Sequence, residues 1–127
     1  VLLINKYSAS DGDLFPWSFK ANKIGKVIGT RTWGGIVGIS GPLPYMDDTD
    51  VRVPFFTNFD AKTGQWIVEN HGVDPDILID NDPIKEQMGE DQQLNKAIEV
   101  IMQELKDRKP LPKVPAPRTF KDLGLKQ

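Results

Sequence analysis

The chain contains no cysteine and a single histidine, His71. The first absence removes disulfide frameworks, cysteine-based zinc sites and cysteine nucleophiles together. It leaves the compartment open, because cysteine-free proteins occur in reducing and oxidising spaces alike. The second leaves one imidazole available as a general base. Charge of one sign is also scarce: 16 Lys and Arg against 18 Asp and Glu give a net charge of −2, with no basic surplus to draw nucleic acid or an anionic membrane. No apolar run approaches the ~20 residues that a helix needs to cross a bilayer. The acidic runs do not make a metal site. Asp11-Gly12-Asp13 lacks the later ligands of a calcium loop, and Asp47, Asp48 and Asp50 crowd too closely for one, so they read as solvated loop carboxylates and neither metal nor cofactor is expected. Trp17, Trp33 and Trp66 have no basic patch beside them and read as packing residues rather than a stacking platform.

What is present fits one globular domain or part of one: 127 residues, 39% hydrophobic and 27% charged. Val1-Leu2-Leu3-Ile4 is a bare apolar run with no cap or turn signal, which reads as a strand buried on both faces. A chain end is seldom the first residue of a central strand. The chain is therefore expected to be cut from a longer one, with any signal peptide upstream. A helix to about Asn22 follows, with either a kink at Pro16 or a start near Leu14, then a second strand over Lys26–Thr30, giving a βαβ unit. Strands are also expected around Arg31–Ile39, Val51–Asn58, Gln65–Glu69 and Asp76–Ile79, with Ser40–Asp50 a loop and Asp60–Gly64 a hairpin connection. The clearest helix opens at Asp91, where Leu94, Ala97, Ile98, Ile101, Met102 and Leu105 share one face and Pro110 ends the pattern. The expected division is a domain over 1–109 and a proline-rich tail over 110–127, with proline at 110, 112, 115 and 117.

Ser10 sits between the first strand and the first helix, with Ser8 before it and Gly12 after. A nucleophilic serine on a sharp strand-to-helix turn needs small neighbours there; the pattern is S-x-S-x-G where G-x-S-x-G is usual. The turn would expose the hydroxyl and aim the first helical N–H groups, that of Asp11 foremost, at whatever Ser10 attacks. By itself the pattern marks a plain helix cap far more often than a nucleophile.

Several blocks in order sharpen the reading. Asn5-Lys6-Tyr7-Ser8-Ala9-Ser10-Asp11-Gly12-Asp13-Leu14-Phe15 is followed by Ile28-Gly29-Thr30-Arg31-Thr32-Trp33-Gly34-Gly35-Ile36-Val37-Gly38-Ile39. Then come Trp66-Ile67-Val68-Glu69-Asn70, Gly72-Val73, Pro75-Asp76 and Asp91-Gln92-Gln93-Leu94. Together they resemble the nucleophile region of the tricorn proteases, grouped with the C-terminal processing peptidases, over residues 1 to 105. The resemblance implies an α/β fold of the crotonase/Clp-protease-like class, here as a partial catalytic domain with a βαβ unit and a C-terminal amphipathic helix. It implies a serine peptidase acting through an acyl-enzyme, with Ser10 as nucleophile and the Asp11 N–H as an oxyanion donor. Glu69, expected at a strand end, would hold the serine of a Ser–His pair that lies far upstream, outside this chain. The chain alone is accordingly expected to be inactive. The substrate would be a peptide or unfolded polypeptide, and the enzyme a homo-oligomer with upstream β-propeller and PDZ-like domains. Its location stays open between cytoplasm and bacterial periplasm.

Two further readings stand beside this one. His71 follows Glu69 at i+2 and would emerge parallel to it from a strand, which is poor geometry for orienting an imidazole; it is expected to be a surface histidine. The segment Gly34, Gly35, Ile36, Val37 either binds substrate by strand addition or has glycines that only bend the backbone. A non-catalytic peptide-binding or assembly domain that keeps the peptidase fold is the alternative for the whole chain.

Overall fold

The computed structural model describes residues 1–39, 43–119 and 122–124. Ser40–Pro42, within the predicted loop, and five residues of the tail lie outside them. The elements in chain order are β1 (Leu2–Ile4), α1 (Asp11–Ala21), β2 (Val27–Gly29), β3 (Gly38–Ile39), β4 (Leu43–Pro44), β5 (Asp50–Val51), β6 (Pro54–Phe56), β7 (Ile77–Leu78), α2 (Pro83–Gln87) and α3 (Gln92–Lys106).

β1, β2 and β7 form a parallel sheet in that spatial order, with Leu2 opposite Val27 and Ile28 opposite Ile77. The expected βαβ unit is β1–α1–β2. Its core is Ile4, Phe19 and Val27 with Leu2 packed against them, so α1 is pinned to the sheet by Phe19. Side chains alternate along a strand, which puts the fully buried Ile28 on the face away from Phe19. The reading of β1 as a strand buried on both faces is corrected here: among the described residues it lies at the sheet edge, and Leu3 is 40% exposed. The central strand is β2, buried at all its positions. Gly29 is required where it stands. Its φ is 131°, and a Cβ there would run into the Ile4 carbonyl oxygen of the neighbouring strand.

α1 begins earlier than Pro16 suggested, directly at Asp11, and carries the proline inside it; the residue is buried. α3 starts at Asp91, whose side chain caps the Leu94 N–H at 2.9 Å, and it crosses β1 and β2. Of its predicted apolar face only Ala97 is buried; Leu94, Ile98, Ile101, Met102 and Leu105 remain exposed. α2 was not anticipated, although Asp82 followed by Pro83 is a plain start signal: Asp82 accepts from the Ile84 N–H at 2.8 Å, and proline occupies the first helical position. The long strands expected between residues 31 and 69 shrink to β3, β5 and β6, while the segment expected as a loop carries β4; β3 pairs with β6 and β4 with β5. A lone antiparallel bridge, Phe59 to Trp66, closes over the 60–64 turn. These pieces bury little. Phe55, Phe56, Phe59 and Trp66 are all more than half exposed.

The amino end of the sheet is fastened by Asp76. Its carboxylate accepts the Val27 N–H at 2.8 Å and pairs with Lys20 at 3.2 Å. The Val27 N–H, and then the Lys20 ammonium, hold its carboxyl below the usual aspartate range. A carboxyl lowered on folding contributes stability above its unfolded value of about 3.9, and loses it as pH falls through the folded value. Asp76→Asn is therefore expected to cost about 1 kcal/mol at neutral pH. In urea melts taken at descending pH, that difference from the parent should shrink below about pH 4.

Candidate functional site

The carboxyl end of β1 delivers the chain into Ser10, and the N-terminus of α1 begins one residue later. Ser10 has φ 57° and ψ −113°, left-handed backbone that an L-residue adopts at a cost of about 1–3 kcal/mol. Its side chain is exposed. The N–H of Gly12 donates to the Ala9 carbonyl and that of Asp13 to the Ser10 carbonyl, each at 2.8 Å. The Ser10 side chain stands in a capping-box arrangement with Asp13 but makes no full cap hydrogen bond, the Asp13 N–H going to the Ser10 carbonyl oxygen. Among the described residues the Asp11 N–H has no acceptor. The helix start therefore keeps one free donor, next to the exposed hydroxyl.

What holds the turn in this conformation is Asp13, which is wholly buried. Its Oδ2 accepts the Ser10 N–H at 3.0 Å and the Gly35 N–H at 3.2 Å, and its Oδ1 accepts the Gly34 N–H at 2.9 Å. The Ser10 N–H is shared with the Gly35 carbonyl oxygen at 3.2 Å. The reading of Asp13 as a solvated loop carboxylate is corrected here: it lies in the first turn of α1 and is buried, because three backbone N–H groups fill its oxygens. The signal that it does more is the Gly34–Gly35 pair far along the chain, which only the fold brings to it.

Glu69 enters the same segment from the other side. Its Oε2 accepts the Ile36 N–H at 2.7 Å and the Val37 N–H at 2.9 Å, while Oε1 has no donor among the described residues. Glu69 lies in a turn, not at a strand end, since pairing stops at Trp66. The turn is tightly wound. Val68 and Asn70, flanking Glu69, both have positive φ, 64° and 62°. For the β-branched Val68 this is a true outlier. The Asn70 N–H donates to the Gly34 carbonyl at 2.8 Å, and a Cβ on Gly34 would collide with the Gly72 nitrogen, so the turn is seated on glycine.

Residues 34–37 thus have every N–H occupied, two by Asp13 and two by Glu69. The strand expected over Arg31–Ile39 is confined to Gly38–Ile39. The carbonyls of Ile36 and Val37 meet no donor among the described residues. His71 points elsewhere. Its Nδ1 is 3.0 Å from the Gly72 carbonyl oxygen and its Nε2 3.8 Å from Asp74 Oδ2, in an exposed cluster where Arg31 Nε also donates to Asp74 at 2.6 Å. The parallel emergence of Glu69 and His71 from one strand does not occur. Among the described residues, no group of three or more His, Asp or Glu side chains converges as a metal site would require.

The architecture is a mixed α/β chain in which a parallel strand feeds a strained serine turn at a helix start. The chain belongs to peptidase family S41, whose family model matches residues 1–79. Within that family its similarity is to the tricorn proteases. It is 44% identical over 109 residues to the tricorn protease of Thermoplasma volcanium, covering 86% of this chain and 10% of that protein. To the tricorn protease of Thermoplasma acidophilum it is 42% identical over 107 residues, 84% of this chain and 10% of the relative. A solved crystal structure of the tricorn protease superposes with a TM-score of 0.73 at 42% identity, covering 82% of this chain and 10% of that one. The chain spans about a tenth of the length of the relatives it matches.

Proposed function

We propose that this chain is the C-terminal part of the catalytic domain of a serine peptidase of tricorn type. In this reading the domain occupies 1–109, has the crotonase/Clp-protease-like fold, and is followed by the proline-rich tail of 110–127. Ser10 Oγ attacks the scissile carbonyl carbon. Its proton passes to the histidine of a Ser–His pair supplied from outside this chain, because an unassisted serine hydroxyl is too weak a nucleophile at neutral pH. The Asp11 N–H stabilises the oxyanion, the leaving amine takes the proton from the histidine, and water then hydrolyses the acyl-enzyme. Glu69 Oε1 accepts from the serine of the pair, while Oε2 stays anchored on Ile36 and Val37. The substrate is an extended peptide or unfolded polypeptide passing along Gly34, Gly35, Ile36 and Val37, and the working enzyme is a homo-oligomer.

The observation that carries this reading is the exposed Ser10 on its strained turn, with the Asp11 N–H free beside it among the described residues. Ser10 stands in a capping-box arrangement with Asp13, yet the Asp13 N–H donates to the Ser10 carbonyl oxygen at 2.8 Å, so the hydroxyl is not committed to the helix by a full hydrogen bond.

A fluorophosphonate serine-hydrolase probe tests it. The full-length protein should be labelled, Ser10→Ala should abolish labelling, and residues 1–127 alone should not react. Labelling of the isolated chain would put a base within it and return His71 as the candidate. Absence of labelling in both would favour a non-catalytic peptide-binding or assembly domain.

A further inference from the structure

We infer that Asp13 is the positioning residue of the site: its buried carboxylate fixes the Ser10 turn and the substrate-side segment Gly34–Gly35 in one rigid relation. The inference rests on Ser10 being the nucleophile.

A carboxylate with no accessible surface is costly unless its oxygens are filled by donors. Here the donors are three backbone N–H groups from two stretches of chain, those of Ser10, Gly34 and Gly35. No Lys or Arg side chain pairs with it among the described residues. A backbone amide cannot turn away as a side chain can, so this contact sets distances where an ion pair would only supply attraction. Charge-assisted bonds of this kind are about twice as strong as neutral ones. They are needed here, because Ser10 is held at a φ of 57° against its own preference.

Helix capping alone accounts for one of the three bonds, that from Ser10. The bonds to Gly34 and Gly35 reach 21 and 22 residues along the chain, into the segment whose next two N–H groups Glu69 holds. Asp13 therefore sets where the nucleophile stands relative to the segment that Glu69 also grips. An error of about 1 Å in such a relation costs on the order of 10²-fold in rate. The Asn side chain offers one acceptor oxygen and turns an NH₂ group toward N–H donors, so the relation should loosen. The Glu side chain keeps both acceptors and the charge but overreaches by one methylene.

The test is peptide hydrolysis by the full-length protein carrying Asp13→Asn, Asp13→Glu or Asp76→Asn, with thermal melts of each. Asp76→Asn removes a carboxylate from a backbone N–H at the opposite end of the sheet and is the control for simple destabilisation. Asp13→Asn should lower kcat by about 10²-fold, with KM changed less than threefold. Asp13→Glu should lie about tenfold below the parent, and Asp76→Asn within twofold of it. Either Asp13 variant with parental kcat while folded, or losses that follow the melting temperature across all three, would overturn the inference. If Asp13→Asn does not fold, Asp13→Glu decides by the same criterion. Ser10→Ala, run alongside, separates the two claims. If it stays active, the nucleophile assignment has failed; if it is inactive while Asp13→Asn is unimpaired, only the role of Asp13 has.

Discussion

Ser10→Ala is expected to lower the kcat of peptide hydrolysis by about 10⁶-fold while leaving KM near the parental value. In the proposed reaction the hydroxyl is the group that makes the bond, so its loss removes the covalent path. A residual rate of about 10³-fold over water should survive from the oxyanion donor and substrate binding. Stability supplies an independent check. Alanine has the same discomfort as serine at a φ of 57°, so the melting temperature should hardly move. Ser10→Gly should also be inactive, yet stabilise the fold by about 1 kcal/mol, because glycine adopts that backbone freely. Activity lost equally in two variants of unequal stability would show that the turn is strained for the sake of the serine it presents. A Ser10→Ala enzyme with substantial turnover would end the assignment.

Glu69→Gln is the second large effect, expected at about 10³-fold in kcat. The amide keeps the shape of the side chain but forfeits the charge. It also needs its one oxygen for the Ile36 and Val37 N–H groups, 2.7 and 2.9 Å away in the parent. Nothing with an acceptor lone pair of comparable strength then remains for the serine of the proposed Ser–His pair. Loss of the group that orients a catalytic histidine costs about 10⁴ in the familiar triad, and an orienter acting through an intermediate serine should cost somewhat less. Steady-state kinetics across pH distinguish this from simple loosening. Misorientation of the base should depress kcat at every pH, whereas a rise in KM with kcat intact would limit Glu69 to holding the segment.

The parts of the fold legible in sequence were those with long or locally complete signals. The α3 face and its Asp91 cap needed nothing from elsewhere in the chain, and β1–α1–β2 followed from apolar runs separated by a helical stretch. Residues 31–69 misled, because strands of two or three residues have no room for a period to show. Their β-branched and aromatic content promised burial that Phe55, Phe56 and Trp66 do not achieve. At the site, Ser10 and Asp11 could be proposed from local pattern, and Glu69 only from family likeness. Asp13 could not be found at all, since two of its three donors lie more than twenty residues away. The turn around Glu69 was equally hidden: no propensity rule places Val68 at positive φ, and the close approach of residues 71–72 to Gly34 that accompanies it appears only in the fold.

For inhibitor design, the double grip of Asp13 and Glu69 on residues 34–37 sets an unusual rule of polarity. A ligand built to lie along this segment as an ordinary β-strand would bring carbonyls to meet N–H groups that two carboxylates already hold. The backbone groups left without a partner at Ile36 and Val37, among the described residues, are acceptors. A peptide on the proposed path along residues 34–37 would therefore be held through its own N–H groups, and scaffolds that add donors there, such as ureas, hydrazides or amidines in place of one peptide unit, extend that pattern.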